Sequence, residues 1–187
     1  MIEIRWHGRG GQGVVTAAKL LAAAALKEGR HIQAFPEYGP ERRGAPVQAF
    51  TRIDDWPVRV FSHIVNPDVV VVLDRTLVGK TPFTEGLKED GVALVNCAHS
   101  PGELRKEIDL RKGRAFSVDA SQIALDEIGR PIPNTPILGA LVKATGILSA
   151  DIVVEEIKEA FGKRMRRELV EANVNAFKRA YEEVRGE

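Results

Sequence analysis

The chain has 187 residues, 44% hydrophobic and 28% charged, which suits one domain with a sizeable core. Its 27 basic and 26 acidic side chains leave a formal net charge of +1, so no overall field selects nucleic acid or an anionic membrane, and any anion site must be local. Cys97 is the only cysteine, which excludes an intrachain disulfide, a cysteine-caged zinc and a cysteine-ligated iron-sulfur cluster. The histidines His7, His31, His63 and His99 form no paired ligand spacing, so no metal site is expected. The start lacks a charged-then-apolar leader, and the alanine-leucine stretch from Leu20 to Leu26 falls far short of the ~20 residues that span a bilayer. A cytoplasmic protein is expected.

Ile2-Glu3-Ile4-Arg5-Trp6 reads as a strand that empties into His7-Gly8-Arg9-Gly10-Gly11-Gln12-Gly13, followed by a helix from about Val14 to Lys27. Gly8, Gly10 and Gly13 satisfy the G-x-G-x-x-G spacing. In that motif the first glycine permits a tight turn, the second lets backbone approach a ligand and the third lets helix pack on strand. The helix would direct its free N–H groups and the positive end of its dipole at an anion over the turn, a phosphate above all. Dinucleotide binding further asks for an acid at the end of the second strand. That strand, His31 to Phe35, runs into Pro36-Glu37, which leaves Glu37 as the only nearby acid. Close strand-helix packing is a competing use for the glycines.

Val47 to Ile53 alternates as a strand, Asp54-Asp55-Trp56-Pro57 turns the chain and Val58-Arg59-Val60-Phe61 returns, which predicts a β-hairpin. Val69-Val70-Val71-Val72-Leu73 predicts a strand covered on both faces. Val92 to Val95 and Ala115 to Val118 predict further strands, followed by helix-competent stretches near Gly102 to Glu107 and Ser121 to Ile128. Asn134-Thr135-Pro136 places a capping residue before a proline at the first helical position, so a helix runs from about Pro136 to Ala144 and stops at Gly146. Ser149 or Asp151 caps a helix that reaches about Phe161, and the last helix carries Val170, Val174, Phe177, Tyr181 and Val184 as its apolar stripe. The alternation predicts one α/β domain over residues 1–187. Its expected form is a Rossmann-like three-layer sandwich with a mostly parallel sheet, a β-hairpin insertion and C-terminal helices.

Between the second strand and the expected hairpin lies Pro36-Glu37-Tyr38-Gly39-Pro40-Glu41-Arg42-Arg43-Gly44-Ala45-Pro46, a stretch stiffened by proline and shaped by glycine. The guanidinium groups of Arg42 and Arg43 suit phosphate or carboxylate through forked hydrogen bonds, or pair with Glu37 and Glu41 at a subunit surface. In a doubly wound sheet the loops after neighbouring strands gather at the carboxyl ends, so the glycine turn and the arginine loop would face one crevice. Asp74 and Asn96-Cys97 would lie along the same edge. Asp74 reads first as a helix cap and Cys97 as a small buried hydrophobe.

Gly8-Arg9-Gly10-Gly11-Gln12-Gly13, the Phe35 to Pro46 stretch with its Gly-Pro-Glu-Arg-Arg-Gly-Ala-Pro core, Asn66-Pro67-Asp68, and Asn134-Thr135-Pro136-Ile137-Leu138-Gly139-Ala140 together resemble the gamma subunit of the 2-oxoacid:ferredoxin oxidoreductases. The likeness spans nearly the whole chain and is strongest to the pyruvate branch, with a 2-oxoisovalerate branch close by. It implies a non-autonomous subunit of a cytoplasmic heterotetramer of anaerobic metabolism, with alpha, beta and delta subunits as partners. That complex converts pyruvate, coenzyme A and oxidised ferredoxin to acetyl-CoA, carbon dioxide and reduced ferredoxin. Thiamine diphosphate, magnesium and 4Fe-4S clusters would lie on the other subunits and no cofactor on this chain alone. The gamma subunit would cover the active-site cavity and assist coenzyme A binding, with no catalytic residue of its own. The residues expected at that lip are Gly8, Gly10, Gly11, Gln12 and Gly13, mainly through backbone N–H groups, with Arg42 and Arg43 through charge. The competing readings are a purely structural subunit, including one serving another 2-oxoacid, and an independent nucleotide-binding oxidoreductase.

Overall fold

The computed structural model describes residues 1–37 and 44–187. Strands β1 (Ile2–Arg9), β4 (Val69–Val72), β5 (Val92–Asn96) and β6 (Arg114–Val118) run parallel. Strands β2 (His31–Glu37), β3 (Pro46–Asp54) and the short β7 (Arg185–Gly186) join antiparallel. Together they make a seven-stranded sheet in the order β2-β3-β1-β4-β5-β6-β7. The α/β class holds, with a mixed sheet rather than a mostly parallel one. All of β4 is buried, as its unbroken valine run requires between two covered faces.

The hairpin is not where the apolar pattern put it. β3 pairs with β1 on one side and β2 on the other, so both of its hydrogen-bonding edges are filled and Val58 to Phe61 has no ladder to join. The antiparallel partner of β3 is β2, an edge strand, which is why it tolerates Pro36.

Helices α1 (Val14–Lys27), α3 (Ala120–Ile128), α4 (Asn134–Thr145), α5 (Ala150–Gly162) and α6 (Arg167–Glu183) share the larger core on one face of the sheet. The other face is thinner. There α2 (Pro101–Glu107), started by a Ser100–Glu103 capping box with proline in its first turn, and the segment after β4 pack Phe83, Leu87, Leu104 and Ile108 onto Val70, Val72, Ala93 and Val95. α4 is buried along almost its whole length. A Cβ on Gly139 would stand 2.0 Å from the Phe177 carbonyl oxygen, so this glycine sets how closely α4 and α6 approach. α4 begins at Asn134, with Pro133 in the capping position, so Asn134 is the first helical residue and not the cap. Ser149 occupies the cap position of α5 without a side-chain cap bond, and its N–H donates to Glu28 Oε1 at 2.7 Å.

On the thin side, the antiparallel wing carries polar cross-strand rows. Register places Gln33, Arg52 and Glu3 in one row, Phe35, Phe50 and Arg5 in the next, and Glu37, Gln48 and His7 in the third. Arg52 is only 1% exposed and is satisfied by Glu3, Gln33 and the carbonyls of Val60 and Ser62. Arg5 donates to His7 Nε2 and to the carbonyls of Ile64, Val65, Phe83 and Glu85. Two cations, the buried Arg52 and the half-buried Arg5, therefore staple the loops over this face in place of an apolar layer.

Candidate anion site at the carboxyl edge

The glycine turn leaves β1 at the carboxyl edge of the parallel strands and enters α1 through Gly13, whose φ of 78° is left-handed. Its glycines act differently from their order in the motif. A Cβ on Gly8 would meet Val14 Cγ2 at 2.5 Å, so Gly8 is where helix closes on strand. A Cβ on Gly13 would meet the Asn134 side chain at 2.7–2.9 Å, so Gly13 admits α4 instead. The Gly10 N–H donates to Ala45 O at 2.9 Å and the Gly44 N–H to Gly10 O at 3.3 Å. These bonds tie the glycine turn to Gly44 and Ala45, which follow the two arginines in sequence.

Gln12 frames the turn. Its Oε1 accepts from the Arg9 N–H at 2.8 Å, its Nε2 donates to Asp74 Oδ2 at 2.6 Å, and its own N–H donates to Arg9 O at 3.1 Å. The N–H groups of Gly10 and Gln12 are therefore spent inside the protein, which corrects the expectation that the whole Gly10–Gly13 run faces a ligand. Beyond them, the first helical bond runs from the Ala17 N–H to Gly13 O, at 2.9 Å. Among the described residues, the N–H groups of Gly11, Gly13, Val14, Val15 and Thr16 have no protein acceptor, and α1 has neither a side-chain cap nor an acid in its first turn. Such an end concentrates unpaired donors and positive dipole, the arrangement that accepts an anion.

Asp74 caps the short 3-10 turn Arg75–Leu77, accepting from the Thr76 N–H at 2.8 Å, the capping role its position in the sequence predicts. Partial burial opposes its ionisation, but hydrogen bonds from Thr76 and Gln12 and the nearby Arg9 guanidinium hold its carboxyl below the usual range. Arg9, which sequence reasoning passed over, lies 3.3 Å from Asp74 and donates to Thr76 Oγ1 and to the Gly44 carbonyl, adding a cation that braces both loops. Its only signal was its place inside the glycine motif. Asn96 stitches the same edge internally, donating to Leu73 O and Ser121 Oγ. Cys97 is buried, and burial pushes its thiol pKa up, so it packs as a hydrophobe. Arg42 and Arg43 lie outside the described residues.

Glu37 does not approach the turn. β3 stands between β2 and β1, so Glu37 lies two strands, about 10 Å, across the sheet, too far for a ribose bound at the turn. Its carboxylate is instead 4.0 Å from His63 Nδ1. Among the described residues there is no cluster of three or more His, Cys, Asp or Glu side chains that could hold a metal, and no helix is long and apolar enough to cross a membrane.

Comparison with known proteins gives this edge a context. Pyruvate synthase subunit PorC of Thermotoga maritima is 51% identical over 183 residues, covering 98% of this chain and 94% of that protein. The pyruvate/ketoisovalerate oxidoreductases common subunit gamma of Thermococcus kodakarensis is 52% identical over 177 residues, covering 95% and 96%. The crystal structure of the Thermotoga maritima pyruvate oxidoreductase subunit superposes with a TM-score of 0.88 at 48% identity, over 99% of this chain and 97% of that one. Residues 3–183 match the pyruvate ferredoxin/flavodoxin oxidoreductase family, and the chain belongs to it.

Proposed function

We propose that this chain is the gamma subunit of a multi-subunit pyruvate:ferredoxin oxidoreductase and that its carboxyl edge helps to bind coenzyme A. The observation that carries the reading is the near-complete coverage of relatives named as pyruvate synthase and oxidoreductase gamma subunits, at about half identity. The second part is supported by the uncapped α1 end and by the hydrogen bonds that hold Gly44 and Ala45 against the glycine turn, a backbone-rich edge with the positive end of a helix dipole suited to a phosphorylated substrate. With one cysteine, buried and held as a thiol, the chain offers nothing to carry electrons, so thiamine diphosphate, magnesium and iron-sulfur clusters belong to alpha, beta and delta partners in a cytoplasmic complex.

Reconstitution tests this directly. The chain alone gives no pyruvate-dependent reduction of a viologen dye, and adding the partner subunits restores turnover. In the assembled enzyme, replacing Arg42 and Arg43 together by Ala raises KM for coenzyme A about tenfold over that for pyruvate, the loss of one charge-assisted contact of ~1.5 kcal/mol. Failure to assemble with unchanged constants in any residual complex would favour the purely structural reading, to which the Gly10–Ala45 tie lends itself.

A further inference from the structure

Two strands end the sheet, and they are unequal. β7 has two residues, whereas β2 offers seven, His31–Glu37, with β3 as its one ladder partner among the described residues. The direction of its free backbone groups follows from the ladders inward of it. The Asp68 N–H donates to Glu3 O and the Leu73 N–H to His7 O, so the odd residues of β1 face β4 and the even ones face β3. Ile4 and Trp6 there oppose Thr51 and Ala49, which leaves Phe50 and Arg52 to bond Phe35 and Gln33 of β2. Ile32, Ala34 and Pro36 therefore turn their backbone groups outward. Among the described residues, none of these outward groups has a hydrogen-bond partner. Pro36 falls where its missing N–H costs no bond to β3.

An open edge of this length is a template for another strand, and edges are commonly blunted by lysine or a bulge. β2 carries no lysine and pairs with β3 residue for residue, without a bulge. Its sequence is complementary to itself. Read antiparallel about Ala34, His31 stands opposite Glu37, Ile32 opposite Pro36 and Gln33 opposite Phe35. His31 is exposed and makes no ion pair among the described residues, and Glu37 has only the 4.0 Å approach of His63. A shift of register in either direction separates His31 from Glu37.

We propose that β2 pairs antiparallel with β2 of a second copy of this chain, across a two-fold axis at Ala34, joining two sheets into one. Ala34 exchanges both backbone bonds with Ala34 of the second copy. Each Ile32 N–H donates to the opposing Pro36 carbonyl, and the proline withholds only the return bond. The symmetry makes one His31–Glu37 pair at each end of the contact, so the same two side chains set the register twice. The inference goes beyond the subunit reading and does not rest on it: as a subunit, the chain would join two assemblies through this edge.

Sedimentation of the purified chain, repeated on the assembled complex, tests the pairing. The wild-type chain is expected to sediment with the mass of two copies. Ala34→Pro removes an outward donor and no bond to β3, so this variant should be monomeric while circular dichroism shows it folded. His31→Glu sets like charges opposite each other twice and should raise the dimer dissociation constant about tenfold. Adding Glu37→Lys reverses the pair on both copies and should restore wild-type association, a rescue that holds the test even if Ala34→Pro does not fold. A wild-type chain that stays monomeric up to millimolar concentration overturns the proposal. A dimer that every variant leaves intact overturns it too, by placing the contact on another surface, and so does a loss with His31→Glu that the reversal fails to rescue. If the wild-type chain is monomeric but Ala34→Pro blocks its joining to other subunits, self-pairing is overturned and the edge belongs to a partner's strand. No readout here uses catalysis, so the subunit reading stands or falls separately.

Discussion

Gly13 joins the strand, the helix and Asn134, and the constraint on it is both conformational and steric. Its φ of 78° is strained for any L side chain, and an added Cβ would collide with Asn134 at 2.7 Å. Gly11 is equally left-handed, with φ of 96°, but nothing lies within 4 Å of its Cβ position. Gly13→Ala is therefore expected to lower unfolding free energy by about 2–4 kcal/mol, and Gly11→Ala by only about 1 kcal/mol, as measured by urea denaturation. Equal losses would show that backbone strain alone governs the turn. His7, one residue before the motif and 3% exposed, gives a pH signature. Burial first, then the Arg5 guanidinium, pushes its pKa down from 6.5 to about 3. As pH falls through 6.5 the unfolded chain takes up a proton that the folded chain refuses until about 3, so stability contributed by neutral His7 is complete above 6.5 and is lost across that window. The wild-type slope approaches ~1.4 kcal/mol per pH unit from this residue, and His7→Gln, which retains an acceptor for Arg5, should flatten the profile between pH 4 and 6. An unchanged slope would show that other groups control acid unfolding.

At the scale of elements, the α4–α6 crossing depends on the absent side chain of Gly139. Gly139→Ala forces the helices apart against the Phe177 backbone and should destabilise the chain by about 2–3 kcal/mol, although alanine favours helix. A rise in thermal midpoint would mean that the crossing yields and propensity decides. This crossing also marks where the sequence could be read. The bounds of α1, the stripe of α6 and the buried run of β4 follow from local periodicity and local breakers, and the structure reproduces them. The strand order does not follow, because whether β3 pairs backward with β2 or forward with Val58 to Phe61 depends on which edges are free once β1 takes one of them. The site divides in the same way. The Gly8 to Gly13 turn and the capping Asp74 are local signals, whereas the contact of Asn134 on Gly13 and the bracing by Arg9 come from residues distant in the chain. The displacement of Glu37 from the site follows from strand order, not from its own residue type.

At the scale of the molecule, the segment after β3 is stapled in place by the half-buried Arg5 and the buried Arg52, yet it turns its largest apolar side chains outward. Trp56 is 78% exposed and Phe61 83%, with Val65 close behind on the same connection. Each aromatic ring presents on the order of 150 Å² to water, an arrangement that a solitary protein rarely keeps on a rigidly held segment. In the proposed assembly these rings are expected to anchor a partner subunit, since interface energy concentrates in a few aromatic side chains set among weaker contacts. The connection leaves β3 beyond Asp54, at the end of the strand opposite Pro46, which pairs with Arg9 at the glycine turn, so assembly and anion binding are expected to be separable. Replacing Trp56 and Phe61 together by Ser removes no intramolecular packing of consequence and should leave the thermal midpoint of the chain within a few degrees of wild type. The same variant should weaken association with the partner subunits at least tenfold, while KM for coenzyme A in the fraction that does assemble stays unchanged. Sedimentation of reconstituted mixtures and steady-state kinetics on the isolated complex give the two readouts. Full assembly by the double variant would assign the exposed rings no part in holding the complex together, and a changed KM for coenzyme A would place this surface beside the substrate after all.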